Sequence, residues 1–252
     1  MMIQGLWLLG MLAGMAWWVR RDAEAYRRFQ ALTCSGDRQR VYWRWIAQSF
    51  AILVGASLIS LWLVDGLSPF NTFPSAFEQA HQALRSPQHD GSAESMAGMA
   101  IGFAIGLAVL LFVQWRRIRK MLKPVAGPAD ALLPRNRREA MIVTVLSLNA
   151  GFSEELFFRL ALPLFLFHLT GSLWIAFGVA GVCFGLAHAY QGWKGVLGTM
   201  LVGGGLTLIY LSHGSLLRVM LIHAVIDIMA LLVRPAITRW IGRRNTLAAA
   251  GA

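Results

Sequence analysis

The sequence predicts an all-α integral membrane protein: a polytopic bundle of about seven transmembrane helices, N-terminus outside and C-terminus cytosolic. Three observations predict it. The 252-residue chain is 57% hydrophobic and only 14% charged, where a soluble domain is about a quarter charged. Its apolar runs are about 17–25 residues long, the length a helix needs to cross the hydrocarbon core. Its basic residues alternate between loops in the positive-inside manner. Alternating ten-residue strand patterns are absent, which excludes a β-barrel.

The spans read as 2–19, 43–64, 96–115, 140–168, 172–190, 194–212 and 215–233. The first has no Lys or Arg before its apolar stretch, and its basic residues follow it. A secretory signal has the reverse order, so this span reads as a retained helix. Seven basic residues lie between spans one and two or at the start of span two: Arg20, Arg21, Arg27, Arg28, Arg38, Arg40 and Arg44. Eight lie between spans three and four: Arg116, Arg117, Arg119, Lys120, Lys123, Arg135, Arg137 and Arg138. Lys194 follows span five, and Arg234, Arg239, Arg243 and Arg244 follow span seven, while the opposite loops hold only Arg85. Topology thus accounts for the net charge of +11 and puts these loops in the cytosol against anionic membrane lipids. No nucleic-acid partner is needed to explain it.

Residues 1–138 read as an N-terminal three-span scaffold with basic loops, 139–235 as a four-span core, and 236–252 as a basic cytosolic tail. Prolines 124, 128 and 134 break the linker between scaffold and core. Gly98, Gly102 and Gly106 in span three, and Gly181 and Gly185 in span five, form small-residue stripes that allow close helix packing. Gly203, Gly204 and Gly205 mark a tight crossing or a local unwinding of span six. His81 and His89 share a polar outer loop with no Cys or paired carboxylate to complete a metal site. The two cysteines, Cys34 and Cys183, give neither a disulfide framework nor a thiol metal site. The oligomeric state does not follow from the sequence.

Seven charged or titratable residues stand inside or near the end of the apolar runs: Glu154, Glu155, Arg159, His188, Arg218, His223 and Asp227. A charge at the bilayer centre costs roughly 2.5–3.5 kcal/mol on insertion scales, so a cluster calls for partners or a function. Arg218 lies at the outer end of span seven, where its long side chain snorkels to the interface. Glu155 and Arg159 are i and i+4, the favourable order for a helical ion pair. Glu154 is turned about 100° away and stays free for chemistry. Phe184 stands one turn before His188 and walls the same face. His223 and Asp227 share a face of span seven, so Asp227 either holds the His223 tautomer or acts as an independent acceptor. His188 lies six residues before Lys194 and Asp227 seven before Arg234, ~10 Å inside the basic face at helical rise. For Glu154 to meet the histidines, the start of span four must project into the cytosol or lie at the interface. The site then opens on the cytosolic side.

The blocks Glu154-Glu155-xxx-Arg159, Phe184-xxx-His188 and His223-xxx-Asp227 resemble, in this order and one per span, the EExxxR, FxxxH and HxxxN/D pattern of the CPBP family. That family includes the type II CAAX prenyl proteases and the bacterial Abi, or bacteriocin-processing, proteins. The resemblance covers roughly 140–233. It implies intramembrane peptide-bond hydrolysis of a membrane-associated protein or peptide, in a multi-pass protein of the bacterial cytoplasmic membrane. It further implies that Glu154 and His188 activate water and that His223 and Asp227 stabilise the oxyanion, with Glu155–Arg159 as scaffold. An ionised Asp donates no hydrogen bond, so Asp227 must either be protonated or orient His223. The favoured reading has no cofactor. The alternative is a zinc enzyme holding its metal through His188, His223 and a Glu, although no HExxH is present. Two other classes use such a cluster: a proton-coupled transporter and a non-catalytic immunity protein.

Overall fold

The computed structural model describes residues 2–64, 66–70, 72–85 and 130–240. All regular structure among them is helical. The helices are α1 (Met2–Gln30), α2 (Ser35–Val64), α3 (Glu78–Arg85), α4 (Arg137–Thr170), α5 (Leu173–Ala187), α6 (Trp193–His213) and α7 (Leu216–Trp240). Five of them, α1, α2, α4, α6 and α7, are long and apolar enough to cross a membrane. The predicted third span with its glycine stripe, His89 and the tail beyond 240 lie outside the described residues. The predicted fifth span is α5, which has 15 residues. At ~1.5 Å per residue it extends ~22 Å, short of the ~30 Å hydrocarbon core.

Local chemistry sets the ends that matter. Asn136 caps α4 by accepting from the Glu139 backbone N–H at 2.9 Å, the expected N-cap geometry. Gly171 closes α4 at φ +66°, a left-handed position that glycine takes without a Cβ penalty. Ser172 and Ser215 cap α5 and α7 through their hydroxyls. α5 stops at His188, whose backbone leaves the helical region at φ −100°, ψ 19°. A short 3₁₀ turn and Gly192 at φ +76° then reverse the chain into α6.

α2 and α4 both start at one end of the molecule, where Arg38 pairs with Glu139, and contacts between helix ends mark out two ends. At one end Tyr26 meets Tyr190 at 5.0 Å, Arg135 donates to the Leu32 carbonyl at 3.0 Å, and Arg239 donates to the Pro134 carbonyl at 3.3 Å. At the other, the His81 ring hydrogen-bonds the Leu211 carbonyl at 2.6 Å and Phe73 lies against Tyr210. The described basic residues concentrate at the first end, as the loop alternation predicts. Residues 20–44 are not a loop, however: α1 runs to Gln30 and α2 begins at Ser35. Nor is Arg38 a solvated loop charge. It is fully buried, with Nε 3.2 Å from Glu139 Oε2 and Nη2 donating to the Tyr42 hydroxyl and the Ala131 and Leu133 carbonyls. The arginine earns its burial through the number of acceptors around it.

The N-terminal helices pack directly on the C-terminal half. Leu8, Met11, Leu12, Met15 and Trp18 of α1 lie against Phe157, Phe158, Ala180 and Phe184. Tyr26, Phe29 and Tyr42 form a second cluster with Ile142 and Val143 of α4. α4 and α7 approach closely at Gly151. A Cβ there would stand 2.6 Å from the Met220 carbonyl oxygen and 2.9 Å from the Ala224 nitrogen, so only glycine admits this crossing. The close approach brings the acids of α4 within reach of α7.

Candidate active site

Glu154 and Glu155 end the regular part of α4, which widens into a π-helical turn over Leu156–Ala161. Such turns insert a residue into the helix and recur at functional sites. The turn is completely buried. Arg159 lies within it, with Nε 3.0 Å from Glu155 Oε2, which matches the sequence expectation for this pair. The guanidinium also donates from Nη2 to the Gly203 carbonyl at 3.3 Å and lies 4.0 Å from the centre of the Phe184 ring. Both pair members are at most 1% exposed. In a dry interior a lone charge of either sign is costly, and mutual pairing offsets that cost.

Glu155 does more than neutralise Arg159. Its other oxygen, Oε1, accepts from His223 Nδ1 across the α4–α7 interface at 2.6 Å. The carboxylate can only accept, so Nδ1 carries the proton. The contact that orients His223 therefore comes from Glu155. Asp227 instead faces the far side of the ring, with Oδ2 3.8 Å from Nε2, beyond hydrogen-bond length. One of the two alternatives for Asp227, holder of the tautomer, passes to Glu155. Spacing along one helix could not reveal a contact made between helices.

Glu154 points away from this pair, as its position on the helix predicts. Its Oε2 lies 3.9 Å from His188 Nε2, and it is buried without a hydrogen-bond partner among the described residues. His188 sits at the point where α5 stops, and its Nδ1 is 2.9 Å from the Phe184 carbonyl. A carbonyl accepts, so Nδ1 is the donor and Nε2 presents its lone pair toward Glu154 in the neutral ring. Phe184 fills the centre of the site, 5.0 Å from the His188 ring and 6.1 Å edge-on from His223. Gly203 makes room for it: a Cβ there would stand 2.6 Å from the Phe184 ring. Of the three consecutive glycines 203–205 in α6, only Gly203 is at a tight crossing. Gly204 and Gly205 have open space, and the helix runs through all three without unwinding.

These side chains border a cavity of about 610 Å³. Glu154, His188, His223 and Asp227 line it, whereas Glu155 and Arg159 lie behind its wall. Exposed Lys194 and Arg234 line its rim at the basic end, so it opens there. Arg218 is exposed near the opposite end and takes no part. Residues from the N-terminal helices form much of the remaining wall, and the sequence reading did not find them. Asn149 on α4 donates to Ser49 on α2 at 2.7 Å, which joins two walls. Met15, Trp18, Val19, Asp22 and Tyr26 of α1 line another. Their spacing of three and four residues marks one helical face. That signal is present in the sequence and runs on past residue 19, the predicted end of span one, to Asp22 and Tyr26. Tyr190, in the turn after α5, also lines the cavity, its ring 6.0 Å from that of His188. Among the described residues, no three His, Cys, Asp or Glu side chains are grouped as metal ligands.

The arrangement can activate a water between Glu154 and His188, and it presents a second imidazole across the cavity. No curated protein and no solved structure matches the chain. A family model described as "Type II CAAX prenyl endopeptidase Rce1-like" matches residues 136–229, which contain every polar member of the cluster. The three sequence blocks, the fold that gathers them around one cavity and this match agree: residues 136–229 match the Rce1-like CAAX protease family, consistent with the CPBP intramembrane proteases, in a chain with several helices long and apolar enough to cross a membrane.

Proposed function

We propose that this protein is an intramembrane endopeptidase that hydrolyses a peptide bond in a membrane-associated or hydrophobic protein or peptide, by water activated between a glutamate and a histidine, without a metal. The observation that carries the reading is the Glu154–His188 approach at 3.9 Å. Both partners are acceptors in this geometry, and the gap suits a water that donates one hydrogen to each. As the water oxygen attacks the scissile carbonyl carbon, its proton passes to Glu154. The carbonyl π electrons move onto oxygen, and His223 stands opposite to meet the resulting oxyanion through Nε2. His223 already donates from Nδ1 to Glu155, so that role requires the doubly protonated ring, and Glu155 and Asp227 complement its charge on both sides. Collapse of the tetrahedral intermediate breaks the C–N bond, and Glu154 returns its proton to the leaving amine. A positioned base contributes about 10²–10⁴-fold, and one oxyanion donor about 3–4 kcal/mol.

The basic end that bears the cavity mouth is the cytosolic face in this reading, with seven spans, the N-terminus outside and the C-terminus inside. Partners are then a protein or peptide substrate and membrane lipids. The test uses purified protein in proteoliposomes with a membrane-tethered peptide library. Cleavage that disappears in Glu154→Gln and His188→Ala supports the reading, and cleavage that survives both overturns it. Ion or solute flux without cleavage points to a transporter.

A further inference from the structure

Asp22 is the one acid on the cavity face of α1 and lies outside the stretch that matches the protease family. It is half-buried and makes no hydrogen bond or ion pair with any described residue. Its electrostatic neighbours are His188 and Glu154. His188 does not serve as its partner, because one ring nitrogen is held by the Phe184 carbonyl and the other faces Glu154. The two cations at the rim stand apart: Lys194 lies over the Trp193 ring at 5.5 Å, and neither Lys194 nor Arg234 pairs with Asp22. A third carboxylate thus shares one partly dehydrated cavity with Glu154 and Asp227. Like charges so placed repel one another, and the arrangement is relieved when a cation enters.

Resting on the protease reading, we propose that Asp22 is a specificity-determining residue that selects substrates carrying a lysine or arginine side chain close to the scissile bond. The apolar part of the α1 face, Met15, Trp18 and Val19, receives the hydrophobic segment. Asp22, one turn nearer the basic end, receives the cationic head of a residue whose alkyl stem lies along the same wall. Selectivity for the charge then belongs to α1, and the bond-breaking groups belong to α4, α5 and α7.

The experiment uses full-length protein in proteoliposomes and tethered apolar peptides. The peptides are identical except for Lys, Gln or Glu placed in turn at the positions flanking the scissile bond. The expected kcat/KM ratio of Lys over Gln peptide is about tenfold, the scale of one partly screened charge pair. Asp22→Asn should bring the ratio near one, Asp22→Glu should keep part of it, and Asp22→Lys should invert it toward the Glu peptide. A ratio that is unchanged in Asp22→Asn overturns the proposal, as does a rate loss equal for all three peptides. Binding of reduced-amide versions is measured alongside. If nothing is cleaved but the Lys peptide binds about tenfold tighter in an Asp22-dependent way, the protease reading fails and the Asp22 assignment stands. Cleavage with no charge preference in rate or binding leaves the protease reading and removes this one.

Discussion

Glu155 holds His223 across the α4–α7 interface, its Oε1 2.6 Å from Nδ1, while its Oε2 stands 3.0 Å from Arg159 Nε. One fully buried carboxylate therefore links a scaffold arginine to a ring that lines the cavity. Glu155→Gln leaves Arg159 as an uncompensated buried charge, a change that typically costs about 3–5 kcal/mol. It also removes the acceptor that fixes the His223 tautomer. Thermal unfolding in detergent should show a clear loss of stability, and cleavage should fall even below the unfolding temperature. An unaltered unfolding temperature would mean that the pair carries little of the fold.

Glu154→Gln should behave differently. Glu154 Oε2 has no hydrogen bond to lose among the described residues, so unfolding should change little while kcat falls about 10²–10⁴-fold, the range for loss of a general base. His188→Ala should lower kcat on the same scale. The double variant should be scarcely worse than either single one, because the two groups act on one water. Single-turnover cleavage checks this, and full additivity would argue that they act on separate steps.

Asp227 lies 3.8 Å from His223 Nε2. If it meets the oxyanion as a donor, an asparagine amide supplies the same hydrogen bond without a proton requirement. Asp227→Asn should then retain cleavage within about tenfold, whereas Asp227→Ala should lose about 10²–10³-fold, the scale of one oxyanion-hole donor. Equal losses in both variants would assign Asp227 to electrostatics around His223 instead.

Gly203 and Gly151 separate packing from chemistry. A Cβ at 203 meets the Phe184 ring at 2.6 Å and Arg159 Nη2 at 3.2 Å. Overpacking of this kind costs about 1–3 kcal/mol, and here it displaces the wall between the two histidines. A Cβ at 151 meets backbone atoms of Met220 and Ala224, which cannot rotate aside, so the α4–α7 crossing must open. Gly151→Ala should be the more damaging to folding, and Gly204→Ala, with open space around it, should be neutral. Unfolding temperatures of the three variants rank them directly.

Metal removal tests the proposed chemistry. Cleavage should persist after treatment with 1,10-phenanthroline or EDTA, in protein whose zinc content by atomic emission is far below one per chain. Loss of activity that returns on adding zinc would establish the metal-dependent alternative.

Much of the site was legible in the sequence because its motifs are local. The 100° per residue of a helix separates Glu154 from Glu155, and the i, i+4 relations of Glu155 with Arg159 and of Phe184 with His188 need no tertiary knowledge. The apolar lengths and the alternation of basic residues likewise report membrane crossing before any fold is known. Arg38 shows the limit. In sequence it is one of seven arginines around the first connection, and only the docking of α2 on the start of α4 buries it against Glu139. Asp22 shows the same limit inside the cavity. Its helical face was readable, but what that face meets was not.

The sequence by itself determined the all-helical membrane character of the chain and which side chains carry titratable groups into it, because hydrophobic length and helical periodicity act within a single segment. The tertiary structure decided which of those groups meet. The close glycine crossing at Gly151 set Glu155 on His223, the early stop of α5 set His188 opposite Glu154, and α1 closed the cavity with Asp22. The physical reason is that hydrogen bonds and ion pairs act over about 3–4 Å, and distances of that size between helices are set only when the helices pack.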